Sequence, residues 1–172
     1  MDVLLEADLP PGVLNVVTGF GQTTGEPLID HQDVRMVSFT GGTIGGRTVA
    51  SIAARKVKPI VMELGGKSPQ IVFPDSDLDL AVNGIASGIF PAGGQSCISG
   101  SRLLIHKSII DEFTERLVNC VKKARVGNPN DPETQIGPMA NRPHYERVLE
   151  KISGAEKMGY KLVLDGRSAC RE

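Results

Sequence analysis

Apolar runs alternate with helical periodicity through the first third of the chain. Runs of apolar residues predict buried strands at 13–17, 36–39 and 60–63. Helices are predicted between them, a short one at 25–30 and a longer one at 44–55. This alternation of strands and helices predicts parallel strands joined by crossover helices.

The same alternation continues after the pair Gly65-Gly66, which interrupts the rhythm and marks a possible boundary. Residues 74–77 form a turn that offers a helix N-cap, and Ser108 can cap a long helix with one apolar face. A loop rich in Gly and Ser separates the first helix from the next strand. The predicted strands are 70–73, 102–106 and 160–164, the helices are 78–89, 108–125 and 142–158, and the loop is 91–101.

The pattern at both ends of the chain is typical of cuts through larger domains. The chain begins inside a predicted helix at 3–8 and stops soon after the last predicted strand. A parallel sheet needs cover on both faces, and three strands with so few helices do not supply it. We therefore expect the ends not to be natural domain borders.

Net charge, the length of the apolar runs and the cysteine spacing indicate which partners and which cellular compartment to expect. The formal net charge is −1 and no apolar run approaches the length of a membrane span, so we expect neither a nucleic-acid nor a membrane partner. The three cysteines, Cys97, Cys120 and Cys170, fit no disulfide or zinc spacing, so we expect no metal site and a reducing, cytoplasmic compartment.

One candidate binding site is the glycine-rich stretch 41–46, which leads from a strand into a helix. Free N–H groups at a helix N-terminus favour phosphate. The stretch lacks both Gly-x-Gly-x-x-Gly spacing and a Walker lysine, so a plain glycine-rich turn is the alternative.

Two residues could carry chemistry. Glu63 ends an apolar strand, where partial burial would suit a general base. The alternative is a loop glutamate that pairs with Lys67 or lies in solvent. Cys97 lies among Gly, Ser and Gln without helical or strand periodicity, so a substrate could reach it and it could be a nucleophile. Cys120 shares an apolar helix face and is predicted to be a core residue, whereas Cys170 lies in a polar tail and is predicted to have no role in the site.

Taken together, these segments resemble the aldehyde dehydrogenase superfamily. Residues 63–69, Glu-Leu-Gly-Gly-Lys-Ser-Pro, resemble its glutamate signature, and residues 94–102, Gly-Gln-Ser-Cys-Ile-Ser-Gly-Ser-Arg, resemble its cysteine signature. The two stand in the order and at the separation that the family shows. Further similar segments lie upstream at 11–17 and 39–43 and downstream at 127–129 and 136–138.

The resemblance implies an NAD- or NADP-dependent oxidation of an aldehyde to a carboxylic acid. Cys97 would form a thiohemiacetal and then a thioester, Glu63 would activate water to hydrolyse it, and the backbone N–H of Cys97 would help to hold the oxyanion. The cofactor-binding residues would be Gly19, Phe39, Thr40, Gly41, Gly42, Leu64 and Gly65.

The resemblance also implies a partial α/β fold. Residues 1–66 would be the C-terminal part of a Rossmann-type NAD(P)-binding domain, and residues 67–172 the N-terminal part of the catalytic domain. The family's oxyanion-hole asparagine, ribose-contacting lysine and oligomerisation strand would lie outside the chain. We therefore expect the chain alone to be inactive and the parent enzyme to be a homo-oligomer.

Departures from the family pattern leave the substrate class open. Family members often carry Ser where this chain has Gly42, Asn near Ala92 and Gly93, and an aromatic residue at Pro91. A CoA-acylating relative is an alternative that the presence of Glu63 disfavours, and a non-catalytic binding member is another. The sequence specifies neither the aldehyde nor the choice between NAD and NADP.

Overall fold

A computed structural model describes residues 6–167 of the chain. It divides into two compact units, Met1–Leu64 and Gly65–Glu172. The division falls two residues before the predicted boundary after Gly66. The roles of the two units as cofactor-binding and catalytic domains stay predictions.

The first unit is a parallel strand pair with a helix in the crossover. The register runs from Val37 opposite Ile60 to Gly41 opposite Leu64. A single π-helical turn, Gly21–Gly25, precedes the first helix. The elements are α1 (Glu26–Asp30), β1 (Val37–Gly41), α2 (Thr43–Arg55) and β2 (Ile60–Leu64), which confirms the predicted helices and two of the three predicted strands.

Helix α2 packs through a stripe of small and branched residues at helical spacing, Gly46, Val49, Ile52 and Ala53, all of them buried. Gly46 permits the close approach, because a Cβ there would lie 2.8 Å from Leu64 Cδ2. The sequence pattern therefore places one face of α2 in the small core of this unit.

The predicted strand at 13–17 is wrong for this structure. Val13 and Val16 are 65% and 68% exposed, and the segment has turn and irregular structure. Among residues 6–167, no neighbouring strand pairs with it. A parallel strand gains its hydrogen bonds only from a neighbour, so an apolar run alone does not form one.

The second unit repeats the parallel pairing with more helices. Pro69 to Val72 lie opposite Arg102 to Ile105 in register. A 3₁₀ turn, Lys107–Ile109, leads into the fourth helix. The elements are β3 (Pro69–Val72), α3 (Leu78–Ile89), β4 (Arg102–Ile105), α4 (Ile110–Val121) and α5 (Arg142–Lys157), and the α/β class is as predicted.

A buried apolar cluster joins β3, α3 and α4. Its members are Val72, Val82, Ile85 and the fully buried Phe113. Cys120 packs against this cluster and is half-buried, which confirms its predicted core role. The cluster fixes α3 and α4. The candidate Cys97 lies in the loop between α3 and β4, and α4 follows β4 along the chain.

Two details of the second unit differ from prediction. Residues 160–164 form no strand, because no partner strand lies beside them among the described residues. His106, and not the predicted Ser108, is the N-cap of the 3₁₀ turn before α4. Its Nδ1 accepts a hydrogen bond from the Ser108 N–H at 3.3 Å. Helix α4 itself ends at Val121, earlier than predicted.

Two predictions fall partly or wholly outside the described residues, the helix at 3–8 and the incidental role of Cys170. Within residues 6–167, no helix combines the length and apolar character needed to cross a membrane.

Candidate active site

Cys97 lies exposed in the loop between α3 and β4, in a short turn. Its carbonyl accepts a hydrogen bond from the Gly66 N–H at 3.3 Å. In the described part of the chain, no acceptor is found for the Cys97 N–H itself. The thiol is therefore open to a reagent, and the adjacent N–H remains free to stabilise a negative oxygen.

A tight reversal precedes Cys97. Ala92, Gly93 and Gly94 all have left-handed backbone, with φ of 53°, 64° and 73°. The two glycines take this conformation without steric cost, whereas Ala92 in the same region costs roughly 1 kcal/mol. The reversal turns the chain sharply between α3 and the cysteine.

The Gln95 side chain links this reversal by hydrogen bonds to another part of the second unit. Its Nε2 donates to the Ala92 carbonyl at 2.8 Å, and its Oε1 accepts from the Ala140 N–H at 2.9 Å. In the sequence, Gln95 stands out only as part of the cysteine motif at 94–102. Its contact with Ala140, 45 residues away, was not foreseeable from local pattern.

Gln70 is the second residue that sequence reasoning missed. Its Nε2 donates to the Gly100 carbonyl at 2.7 Å, and Gly100 N–H donates to the Gly88 carbonyl at 2.9 Å. The only signal in the sequence was the presence of glycine at 88 and 100, and this signal does not identify the side chain that lies against them.

Glu63 lies at the carboxyl end of β2, opposite Thr40 in the parallel register. Its side chain is exposed, which agrees with the alternative of a glutamate in solvent and not with the partial burial that would suit a general base. The reason is that β2 is a short strand paired with only one neighbour among the described residues. An exposed carboxylate at a strand end can reach a water molecule and remove a proton from it.

Four of the predicted cofactor residues of the first unit, Phe39, Thr40, Gly41 and Leu64, lie in its two strands. Thr40 and Gly41 lie opposite Glu63 and Leu64. The Phe39 ring covers Gly41, where a Cβ would lie 2.6 Å from Phe39 Cζ. The strand pair thus brings together, within one unit, five residues predicted from sequence: Phe39, Thr40, Gly41, Glu63 and Leu64.

Gly42 is the N-cap of α2 and leaves that helix start open. It supplies no side-chain cap, and a Cβ at Gly42 would meet no atom within 4 Å. The first N–H groups of an α-helix have no partner within the helix, and the helix dipole favours an anion there. The donors and the free space fit a phosphate group.

The two remaining predicted cofactor residues are Gly19 and Gly65. Gly19 lies in the irregular segment before α1, where a Cβ would lie 2.0 Å from Thr24 Oγ1. Gly65 begins the second unit and has open space around it. No group of three or more His, Cys, Asp or Glu side chains within residues 6–167 could hold a metal ion.

Comparisons with known proteins identify the family of this chain. Residues 1–172 match the aldehyde dehydrogenase family. The chain is 46% identical over 165 residues to a chloroplastic betaine aldehyde dehydrogenase of Amaranthus hypochondriacus, which covers 96% of this chain and 33% of that protein.

Solved structures give the same result. An NAD-dependent aldehyde dehydrogenase from Sinorhizobium meliloti superposes with a TM-score of 0.91 at 44% identity, covering 98% of this chain and 34% of that one. An NAD⁺ complex of an aldehyde dehydrogenase from Bacillus cereus superposes with a TM-score of 0.91 at 36% identity, covering 95% and 33%. The chain spans about a third of the length of these relatives. The similarity extends over nearly the whole chain, and the chain belongs to the aldehyde dehydrogenase family.

Proposed function

We propose that this chain supplies the nucleophile and the general base of an NAD(P)-dependent oxidation of an aldehyde to a carboxylic acid, within an enzyme of full family length. The observation that carries the proposal is the exposed Cys97 thiol beside its own N–H, for which the described residues supply no acceptor. Hydrogen bonds hold the loop on both sides of Cys97.

The chemistry begins with Cys97. Its thiolate attacks the aldehyde carbon, and the carbonyl oxygen takes the electron pair and receives a hydrogen bond from the Cys97 N–H. The product is a thiohemiacetal. Loss of a hydride and a proton from it leaves a thioester on Cys97.

The cofactor contributes one step, because NAD(P)⁺, when bound, accepts that hydride. The open start of α2 at Gly42 offers donors for its phosphate, and the Phe39 ring over Gly41 keeps this turn compact. Solved relatives that bind NAD⁺ support NAD or NADP as the cofactor.

Glu63 completes the cycle. Its carboxylate takes a proton from water, the resulting hydroxide attacks the thioester carbon, and the Cys97 thiolate leaves as the carboxylic acid is released. A CoA-acylating enzyme would release the acyl group to a thiol instead. The presence of Glu63 favours hydrolysis.

Variants of the full-length enzyme that carries this segment test the proposal. Cys97→Ala should lower kcat by about 10³-fold or more, since both covalent intermediates are lost. Glu63→Gln should lower steady-state turnover while a first turnover of NAD(P)H remains, because hydride transfer precedes hydrolysis. Cys120→Ala is the matched control, and turnover by it should stay within about twofold of the parent.

Retention of parental turnover by Cys97→Ala would contradict the proposal. The chain by itself is proposed to be inactive, so steady NAD(P)H production by these 172 residues alone would contradict that part. The aldehyde is best sought with a panel that includes betaine aldehyde, the substrate named for the Amaranthus relative.

Two further properties of the enzyme are proposed on general grounds. Free, unpaired cysteines are typical of a reducing compartment, which supports a cytoplasmic location. Family resemblance supports a homo-oligomer, which sedimentation of the full-length enzyme would test.

A further inference from the structure

The Gln70 side chain occupies a slot between two glycines of different elements. A Cβ at Gly100 would lie 2.3 Å from Gln70 Cδ and 2.4 Å from its Nε2, and a Cβ at Gly88 would lie 2.7 Å from its Oε1. A larger residue at either position would overlap the amide in its present rotamer. Glycine at both positions therefore leaves the space that the Gln70 amide occupies.

Hydrogen bonds close the slot around the amide. Gln70 Nε2 donates to the Gly100 carbonyl, and the Gly100 N–H donates to the Gly88 carbonyl. Gln70 lies in β3, opposite Leu103 of β4, and Gly88 lies near the end of α3. One side chain thus joins a strand to the loop that carries Cys97.

The hydrogen bond from Gln70 to Gly100 fixes the loop on the C-terminal side of Cys97. Gly100 follows Cys97 by three residues, and the intervening Ser99 is buried with its N–H donating to the Ser96 carbonyl. On the N-terminal side, the hydrogen bonds of Gln95 hold the loop. A shift of Gly100 would therefore move the Cys97 sulfur and its N–H together.

We propose that Gln70 is a positioning residue for Cys97, which it orients through the Gly100 carbonyl without touching the aldehyde. The proposal rests on the proposed role of Cys97 as nucleophile. Small displacements of a nucleophile weaken the attack on a carbonyl while leaving ground-state binding intact, which predicts an effect on kcat without a matching effect on KM.

The first test uses Gln70→Met and Gln70→Glu in the full-length enzyme. Gln70→Met keeps the length of the side chain but removes the donor, and kcat should fall by about fivefold while KM for the aldehyde stays within about twofold. Gln70→Glu keeps the shape but places an acceptor against the Gly100 carbonyl, so its loss of kcat should be larger.

The order of these two variants decides between a donor and a space-filling role. If Gln70→Glu, the closer isostere, is no worse than Gln70→Met, the hydrogen bond does not position the loop and the proposal is overturned. Equal changes of kcat and KM in Gln70→Met would overturn it as well.

A steric cycle gives a second, independent test. Gly100→Ala should lower kcat strongly with Gln70 present, and less when combined with Gln70→Ala, because the overlapping amide is then gone. Gly84→Ala in α3 is the control, since a Cβ there meets nothing within 4 Å. An equal loss in both backgrounds would contradict the direct contact.

Amide exchange separates failure of this proposal from failure of the proposed function. In the 172-residue chain, Gln70→Met should raise exchange of the Gly100 N–H by about fivefold, whatever reaction Cys97 performs. No change in exchange would overturn the positioning role even if Cys97→Ala abolishes turnover. Conversely, if Cys97→Ala retains full turnover, the proposed function fails even where exchange rises.

Discussion

Helices α2 and α3 have similar length and begin in opposite ways. The N-cap of α3 is Asp77, whose carboxylate accepts from the N–H groups of Asp79 at 3.0 Å and Leu80 at 3.1 Å. The N-cap of α2 is Gly42, which supplies no side-chain acceptor and leaves open space.

The difference separates a structural helix start from one available to a ligand. A capped start already has an acceptor with negative charge against the helix dipole, so an external anion has little to gain there. An open start lacks that stabilisation and can receive a phosphate in its place. Helix α3 is also fixed by the apolar cluster around Phe113, and its Gly88 carbonyl accepts the N–H of Gly100 in the Cys97 loop.

The largest effect is expected from Phe113→Ala, which opens a cavity in the cluster that α3 and α4 share. The free energy of unfolding should fall by about 3–5 kcal/mol, as measured by urea denaturation of the chain. Ile44→Ala in the first turn of α2 is the control. Ile44 is 84% exposed, so its loss should change stability by less than about 0.5 kcal/mol. A similar effect of both changes would remove the contrast between the helices.

Filling the open start of α2 should weaken cofactor binding. Gly42→Asp places a carboxylate where a phosphate is proposed to bind, and like-charge repulsion should raise KM for NAD(P)⁺ by about tenfold in the full-length enzyme. Gly42→Asn adds a cap of the same shape without charge, and its effect should be smaller. If the two variants behave alike, or neither changes KM, the phosphate is not at this helix start.

Removing the existing cap of α3 tests the other side of the comparison. Asp77→Ala should lower the free energy of unfolding by about 1 kcal/mol, since two N–H groups lose their acceptor. Asp75→Ala, in the same turn, should change it by less than about 0.5 kcal/mol. Thermal unfolding of the two variants side by side measures the difference, and equal values would show that the Asp77 contacts are not stabilising.

The smallest effect concerns an exposed ion cluster after α5. The Arg167 side chain donates to both Asp165 carboxylate oxygens and holds the pKa of Asp165 below its usual range. The contribution to stability is present above the ordinary carboxyl pKa and is lost as pH falls through the lowered one. An NMR titration should show Asp165 returning to its ordinary pKa in Arg167→Gln, whereas Glu156→Gln should leave it lowered.

Much of the fold follows from local pattern. Helix α3 was predicted with its observed limits, Leu78–Ile89, because its start is set by Asp77 and its apolar face by helical spacing. The two failed strands, at 13–17 and 160–164, show the limit of that approach. An apolar run becomes a strand only beside a neighbour, and among residues 6–167 neither run has one.

Residues of the candidate site also differ in whether local sequence could predict them. Cys97 and Glu63 are predicted from residue type, surroundings and family resemblance, which depend on short stretches of sequence, and their roles stay predictions. Gln70 and Gln95 were missed because their partners, Gly100 and Ala140, lie 30 and 45 residues away. The exposure of Glu63 was left open by the sequence, since burial of a strand end depends on neighbouring elements and not on the strand's own residues.

The central claim is that Cys97 forms the covalent bond to the substrate. The most direct measurement is mass spectrometry of peptides from the full-length Glu63→Gln enzyme, quenched in acid after mixing with aldehyde and NAD(P)⁺. This variant should accumulate the thioester because its hydrolysis lacks a base. We predict the acyl mass on the peptide that contains Cys97 and none on the peptide that contains Cys120. An acyl group on another residue, or NAD(P)H formed without any acylated peptide, would contradict the account.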